Sequence, residues 1–308
     1  VTGYLLRKLL MAPLVLFVLI TISFFLMRAA SGGPFDRERG LDPDVELAIR
    51  AQYNLDDPLY QQYFYFLGDL AQGDLGPSYY QPGMQVSELI ATYLPVSMWL
   101  GMISLLIALT LGLMAGIWAA MRHNRWQDYG AMSAALVGLS VPAFVTGPLL
   151  MMLFAVYLRW LPVTGWNGYW GLSHLILPAT CLALPFAARI ARLARAGMLE
   201  VIHQDYIRTA RSLGLSEATV ILRHALRGAL VPVAGFLGPA IASLVTGSLV
   251  VEQIFQIPGL GREFVIAAFN RDYTLVMGTV LVYGAIIIFA NMLSDLLLGW
   301  LDPRVRLT

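Results

Sequence analysis

Asp205-Tyr206-Ile207-Arg208-Thr209-Ala210-Arg211-Ser212-Leu213-Gly214, running on through Leu215 and Ser216 to Arg223, His224 and Arg227, lies between two long apolar runs. It reads as a short basic helix, a glycine break and a second basic helix. Gly214 suits the left-handed residue that ends a helix, and Ser216 suits the cap that starts the next. Arg208, Arg211, Arg223 and Arg227 would hold the segment on the cytoplasmic side of a membrane. Thr209, Ala210 and Gly214 offer a small-residue surface that another backbone could approach closely. That is the chemistry of a docking elbow rather than of an active site.

The apolar runs on either side set the class. Apolar residues make up 58% of the 308 and charged residues 13%, with a mean hydropathy of +0.69. Soluble domains run nearer 45–50% apolar and about 25% charged, so this composition belongs in lipid. The sequence predicts an all-α integral membrane protein with six transmembrane helices: Leu9–Met27, Val96–Met121, Ala131–Leu158, Leu172–Ala188, Ala229–Val251 and Thr274–Leu301. Each is near the ~20 residues needed to cross. The fourth is the weakest, being short and interrupted by Pro178 and Pro185; Pro142, Pro148, Pro232 and Pro239 interrupt the third and fifth. Neighbouring helices can re-satisfy carbonyls freed by proline inside a bundle, and so many breaks suit a pathway better than a plain anchor.

Charge gives an orientation. With the N-terminus inside, thirteen basic residues fall in the cytoplasm and seven outside, while thirteen of the nineteen carboxylates lie outside. That is the sign of the positive-inside rule, and it predicts both termini in the cytoplasm. Leu9–Met27 is longer than a typical signal-peptide core and is read as a retained anchor. Cys181 is the one cysteine, so no intramolecular disulfide can form.

These readings divide the chain into an N-terminal anchor helix (1–30), a small helical extracytoplasmic insertion (31–93) and a five-helix core (94–308) with a cytoplasmic connection at 189–228. In the insertion, Asp42-Pro43 and Asp57-Pro58 each place a capping residue before a proline at the first helical position. The second helix is expected from Pro58 to about Gln72, stopped by Gly73, with Leu59, Tyr63, Phe66 and Leu70 on one face. A further outer loop runs from Glu252 to Tyr273, where Pro258-Gly259-Leu260-Gly261 predicts a tight reversal. Asp295 is the one acid inside a span. It falls near the expected cytoplasmic end, where solvent or an arginine could pair with it; intramembrane acids are also candidate ion sites.

Other chemistry is not written in the chain. Lys8 is the only lysine and no G-x-x-x-x-G-K-[ST] occurs, so nothing here forms a P-loop for ATP. His123, His174, His203 and His224 are scattered, with no metal-ligand spacing and no nucleophile–base arrangement. We expect no catalytic residue, no metal and no cofactor in this polypeptide.

The elbow resembles the cytoplasmic loop of permease subunits of binding-protein-dependent ABC importers, whose general pattern is E-A-A-x3-G-x9-I-x-L-P. Here it reads Arg208-Thr209-Ala210, three residues, Gly214, nine residues, then His224-Ala225-Leu226-Arg227, a form similar to the oligopeptide, dipeptide and nickel branch. Gly247-Ser248-Leu249-Val250-Val251-Glu252, Pro258-Gly259-Leu260-Gly261, Asn270-Arg271-Asp272-Tyr273 and Gly73-Asp74-Leu75-Gly76 resemble the same branch. The resemblance implies a type I ABC importer permease fold in a bacterial inner membrane and a non-catalytic role. It also implies a second, similar permease, two cytoplasmic ATPases that hold ATP and Mg, and an extracytoplasmic binding protein that delivers peptide; no nucleic acid is implied. Asp205, Tyr206, Arg208, Thr209, Ala210, Arg211, Gly214, Leu215, Arg223 and His224 would couple to an ATPase. Glu252, Gln253, Gln256, Pro258, Gly259, Leu260 and Gly261 would face the binding protein or its cargo. Nickel or another small solute is the alternative cargo. An ion-coupled secondary transporter and a non-transporting scaffold are the rival classes, the former expected to show inverted repeats and several intramembrane charges.

Overall fold

The computed structural model describes residues 2–29, 56–81 and 83–301. The expected helix at Asp42-Pro43, the rest of residues 31–55, and Asp302, Arg304 and Arg306 lie outside the described residues. Among the described residues regular structure is helical: α1 (Thr2–Ala29), α2 (Leu59–Ala71), α3 (Val86–Met121), α4 (Trp126–Ser140), α5 (Ala143–Tyr157), α6 (Leu172–Val201), α7 (Asp205–Ser212), α8 (Glu217–Ala229), α9 (Val231–Val245), α10 (Leu249–Phe255), α11 (Leu260–Phe269) and α12 (Tyr273–Leu301).

Four helices (α1, α3, α6 and α12) are long and apolar enough to cross a membrane, or six if the bent pairs α4–α5 and α8–α9 each count as one span. The third expected span is therefore not straight: α4 and α5 meet at 108°. Pro142 disfavours helical backbone at the residue before it, and Val141 is extended at φ −87°, ψ 117°. The expected weakness of the fourth span is corrected outright. α6 runs unbroken for 30 residues through Pro178 and Pro185, and 61% of its apolar window is buried against 11% for α1. It is the central helix, where packing on both sides outweighs the hydrogen bonds that the two prolines remove. α3 lies along it so closely that a Cβ on Gly116 would fall on the Ala191 carbonyl oxygen. The fifth span ends at Val245, earlier than expected, because Gly247 turns the chain at φ +85° before α10 begins.

α2 matches its predicted extent and stops at Gly73, whose φ is +79°. Pro58 sits at its N-cap rather than inside the first turn, and Asp57 contributes its backbone oxygen to Gln62 instead of a side-chain cap. Tyr63, Phe66 and Leu70 pack on Ile20, Phe24 and Met277, while Leu59 stays exposed. Among the described residues Asp295 pairs with Lys8. That pair ties the first helix to the last at the end of the bundle where Arg227 also reaches the Trp300 carbonyl, at 3.2 Å. The bundle thus has two distinct ends: α7 and α8 cover one, and α10 and α11 cover the other.

Candidate functional sites at the two ends of the bundle

The elbow is built as its residues dictate. α7 carries Ile207 and Ala210 on one face, and both are buried with Met198, Val201, Val220 and Ala225. Gly214 takes φ +75° with open space around it. Ser216 Oγ accepts the Thr219 amide at 3.4 Å and so starts α8. Arg211 closes the turn on Glu217, its Nη2 donating to Oε1 at 2.7 Å. Asp205, Tyr206, Arg208, Thr209, Arg211, Gly214, Leu215 and Arg223 all reach the surface, and His224 is half-buried. Ala210 does not: it is 5% exposed and belongs to the protein's own core, because its helix position is three residues from Ile207 and shares that inward face. The small-residue surface is therefore Thr209 and Gly214 only.

Two exposed apolar side chains escaped the sequence reading. Leu213 is 74% exposed and Leu222 is 69% exposed, beside Arg208, Arg211 and Arg223. Spacing alone did not mark them, since Leu213 is three residues from Ala210 and Leu222 three from Ala225; only the fold turns both outward. A basic rim with leucines standing out of it is suited to a groove on another protein.

The other end is organised on one carboxylate. Glu252 is fully buried. Its Oε1 accepts the Ser97 hydroxyl at 2.8 Å and its Oε2 accepts the Arg262 amide at 2.9 Å. Ser97 in turn accepts the Leu260 amide at 2.9 Å. Gly247, Gly259 and Gly261 press on the same carboxylate so tightly that a Cβ at Gly259 would overlap Glu252 and Ser97. Burial pushes the Glu252 carboxyl up to about 7, against the opposing pull of the Arg262 amide and the Ser97 hydroxyl.

Of the residues expected to face a partner here, Gln253 and Gln256 are exposed and Pro258 is half-buried. Glu252, Gly259, Leu260 and Gly261 form the buried seat beneath them. The reversal is made by Gln256, left-handed at φ 55°, ahead of the Pro258-Gly259 pair; Gly259 has ordinary backbone and serves as the N-cap of α11. A second knot lies alongside. Asp272, fully buried, accepts the Ser78 hydroxyl, the amides of Tyr79 and Leu275 at 3.1 and 3.2 Å, and the Thr274 hydroxyl at 2.9 Å. It fastens the stretch before α3 to the start of α12. The connection before α6 joins in through the Gly165 amide, 2.9 Å from the Phe255 carbonyl. Ser97, Ser78 and Asp272 were missed because their partners lie far away in sequence.

Residues 112–307 match the family described as binding-protein-dependent transport system inner membrane component. The oligopeptide transport system permease proteins of Haemophilus influenzae and Escherichia coli K12 are each 46% identical over 98% of this chain and 99% of their own length. The dipeptide transport system permease protein of Bacillus subtilis is 43% identical over 99% of this chain and 98% of its own. Among solved structures, an amino acid ABC transporter with histidines has a TM-score of 0.47 at 19% identity, covering 71% of this chain and 95% of that one.

Proposed function

This chain belongs to the family of binding-protein-dependent transport system inner membrane components, and from that premise we propose that it forms half of the path of an ATP-driven oligopeptide importer. The observation that carries the cargo is the 46% identity, over 98% of this chain, to proteins named for oligopeptide transport. The family membership makes it a multi-pass membrane permease subunit. The finer assignments are our reading.

In that reading a second, similar permease completes the path, and two cytoplasmic ATPases hold the ATP and Mg and do all the hydrolysis. The elbow is the part an ATPase would move. Its own core is fixed by Ile207 and Ala210, packed on Met198 and Val201 of α6 and Ala120 of α3, so a push on Leu213, Leu222 or the arginine rim passes into α6 and α3 as a rigid displacement rather than dissipating in a loose loop. Arg227, held by the carbonyl of Trp300, would carry the same displacement to α12. At the opposite end an extracytoplasmic binding protein would deliver peptide over Gln253 and Gln256. Glu252 keeps that rim rigid, because three separate segments of chain hydrogen-bond or pack on its carboxylate. A permease that couples movement at one end to opening at the other needs both ends stiff and the middle deformable. The bends at α4–α5 and α8–α9 supply the deformable middle.

The test is uptake of a labelled tripeptide into vesicles holding the whole complex, with ATP inside and binding protein outside. Uptake should require this chain and ATP hydrolysis by the partner ATPases. Uptake that persists with hydrolysis-dead ATPases and follows a proton gradient would replace this reading with an ion-coupled transporter. The isolated chain should hydrolyse no ATP.

A further inference from the structure

A cleft of about 190 Å³ lies between α1, α2, the stretch before α3 and the start of α12. It adjoins the Asp272 knot through Tyr79 and Thr274 and shares no residue with the Glu252 seat or the elbow. Among the described residues that line it, Arg28 is the one cation. Arg28 ends the apolar run of the first span, and its Cζ stands 3.6 Å from the Phe24 ring centroid and 5.6 Å from that of Tyr273. Its Nε donates to Gln62 Oε1 at 3.1 Å, and Gln62 Nε2 donates in turn to the Asp57 carbonyl at 2.8 Å. The guanidinium is thus fixed in place. Yet among the described residues nothing accepts from its two Nη groups and no carboxylate pairs with it. A cation set among rings at the edge of lipid is costly without a counter-charge. Its free Nη groups form the fork that grips a phosphate in bidentate fashion.

The rim has the opposite sign. Asp69 and Asp74 line the same cleft and both are exposed, with Asp74 Oδ1 steadied by the Gly76 amide at 2.8 Å. A recessed cation below two carboxylates fits a ligand that carries an anion and, a short link away, a cation. Pockets that enclose whole drug-sized ligands run to about 300–1,000 Å³, so this cleft suits a headgroup rather than a peptide. The helices that bound it face lipid. α1 is the most peripheral of the four long spans, with 11% of its apolar window buried. Just below Arg28 it exposes Ile22, Phe25 and Leu26, the last by 70%. The apolar surface continues onto α2: Phe25 meets Tyr63 at 5.3 Å between centroids, Tyr63 meets Phe64 at 6.0 Å, and Phe64 is 66% exposed. An exposed apolar surface ending in aromatic rings and a charge is the pattern of the headgroup boundary, not of a contact with a soluble partner.

We propose that this cleft holds the headgroup of a membrane phospholipid that carries a primary amine. The phosphate sits on the Nη groups of Arg28, the ammonium reaches Asp69 and Asp74, and the acyl chains run along the exposed face of α1. The lipid then acts as a clamp, joining the least buried span to α2 and to the start of α12. The proposal rests on the chain's place in a membrane and is independent of the cargo.

Native mass spectrometry of the full complex tests it, after incubation with phosphatidylethanolamine, with phosphatidylglycerol (the same phosphate without the amine) or with inorganic phosphate. The wild type should retain phosphatidylethanolamine in preference to phosphatidylglycerol, and inorganic phosphate should not displace it. Arg28→Gln should weaken retention of both lipids about tenfold, the effect of losing a charge-assisted hydrogen bond. Arg28→Lys, which keeps the charge and loses the fork, should fall between. The double variant Asp69→Asn, Asp74→Asn should keep phosphatidylglycerol bound and lose the preference for the amine, a change of selectivity that disturbed packing alone would not produce. Equal retention in wild type and Arg28→Gln would overturn the proposal. So would displacement of the lipid by inorganic phosphate, which would make this a free-anion site. An Arg28→Gln complex that keeps its lipid but no longer docks the binding protein would give the arginine to that partner instead. Where Arg28→Gln fails to assemble, the carboxylate pair decides, and an unchanged lipid preference in that variant overturns the proposal.

Discussion

Ser97 and Glu252 stand 155 positions apart in sequence and 2.8 Å apart in space, with the serine hydroxyl donating to the carboxylate while its oxygen accepts the amide of Leu260. A side chain on the second span thus holds both the helix that ends in Gln256 and the helix that follows it. Neither helix is long: α10 has seven residues and α11 ten. Elements that short depend on tertiary contacts rather than on their own propensity, and Ser97 is the contact they share.

Ser97→Ala should therefore loosen this end without disturbing the rest. It leaves the Leu260 amide unpaired and the Glu252 carboxylate one donor short, each in a buried setting. Loss of a buried partner costs about 1–3 kcal/mol. Hydrogen exchange should accelerate at the amides of Leu260 and Arg262 and stay unchanged in α7 and α8. Uniform acceleration, or none, would show that Ser97 does not hold the loop.

Glu252 also gives this end a pH dependence with a definite sign. Its folded value lies near 7, above the ordinary 4.5, so between these values the folded state binds the proton that the unfolded state has released. Stability from this group is complete below about 4.5 and is lost as pH rises through about 7. Glu252→Gln should abolish that loss. The glutamine can still accept the Arg262 amide with its oxygen and donate to Ser97 with its nitrogen, so the variant keeps the geometry. Thermal melting of the solubilised protein across pH 4.5–8 reads the difference, and a wild-type curve that rises with pH through this window would contradict it.

The elbow was legible from sequence because its determinants are local. Gly214 and Ser216 fix their turn by backbone preference and one short hydrogen bond, and both follow from residue type alone. The Glu252 cluster was not legible, since Glu252 looks like any acid in a polar loop until Ser97, Gly247 and Gly259 are folded around it. Pro178 and Pro185 misled for a related reason. A proline lowers the expectation of a helix, yet α6 is enclosed by α3, α4 and α9, whose packing keeps it continuous. Val141-Pro142 did mark a break, but sequence period cannot distinguish a kink from the 108° turn that forms there.

Leu213 carries a prediction at the other end. It is exposed, it touches no core, and it sits beside Gly214 in open space. Leu213→Asp should leave folding and membrane insertion intact, within about 0.5 kcal/mol as for most surface changes, yet cut ATP-driven uptake at least tenfold if the leucine seats in a groove on the ATPase. Gly214→Ala should act differently, through about 1 kcal/mol of left-handed backbone strain in the elbow itself. Paired measurements of uptake and ATPase rate in the reconstituted complex separate the two. Wild-type uptake in the Leu213 variant would remove the elbow from the coupling surface.

Orientation can be tested without any partner. Gln253 and Glu217 lie at opposite ends of the bundle, and both side chains are exposed. The native Cys181 is buried and has no disulfide partner, so Cys181→Ala gives a cysteine-free background at the cost of one sulfur atom. In intact cells, Gln253→Cys should react with an impermeant maleimide added outside, and Glu217→Cys should react only after permeabilisation. The expectation follows from the arginines: Arg208, Arg211, Arg223 and Arg227 crowd the Glu217 end, and the side richer in basic residues is retained in the cytoplasm. Lys8 paired with Asp295 brings the start of α1 and the final turns of α12 to that same end, so the test also fixes the side on which the first and last helices close. Labelling in the reverse order would turn the molecule over, placing the elbow outside and out of reach of any cytoplasmic ATPase.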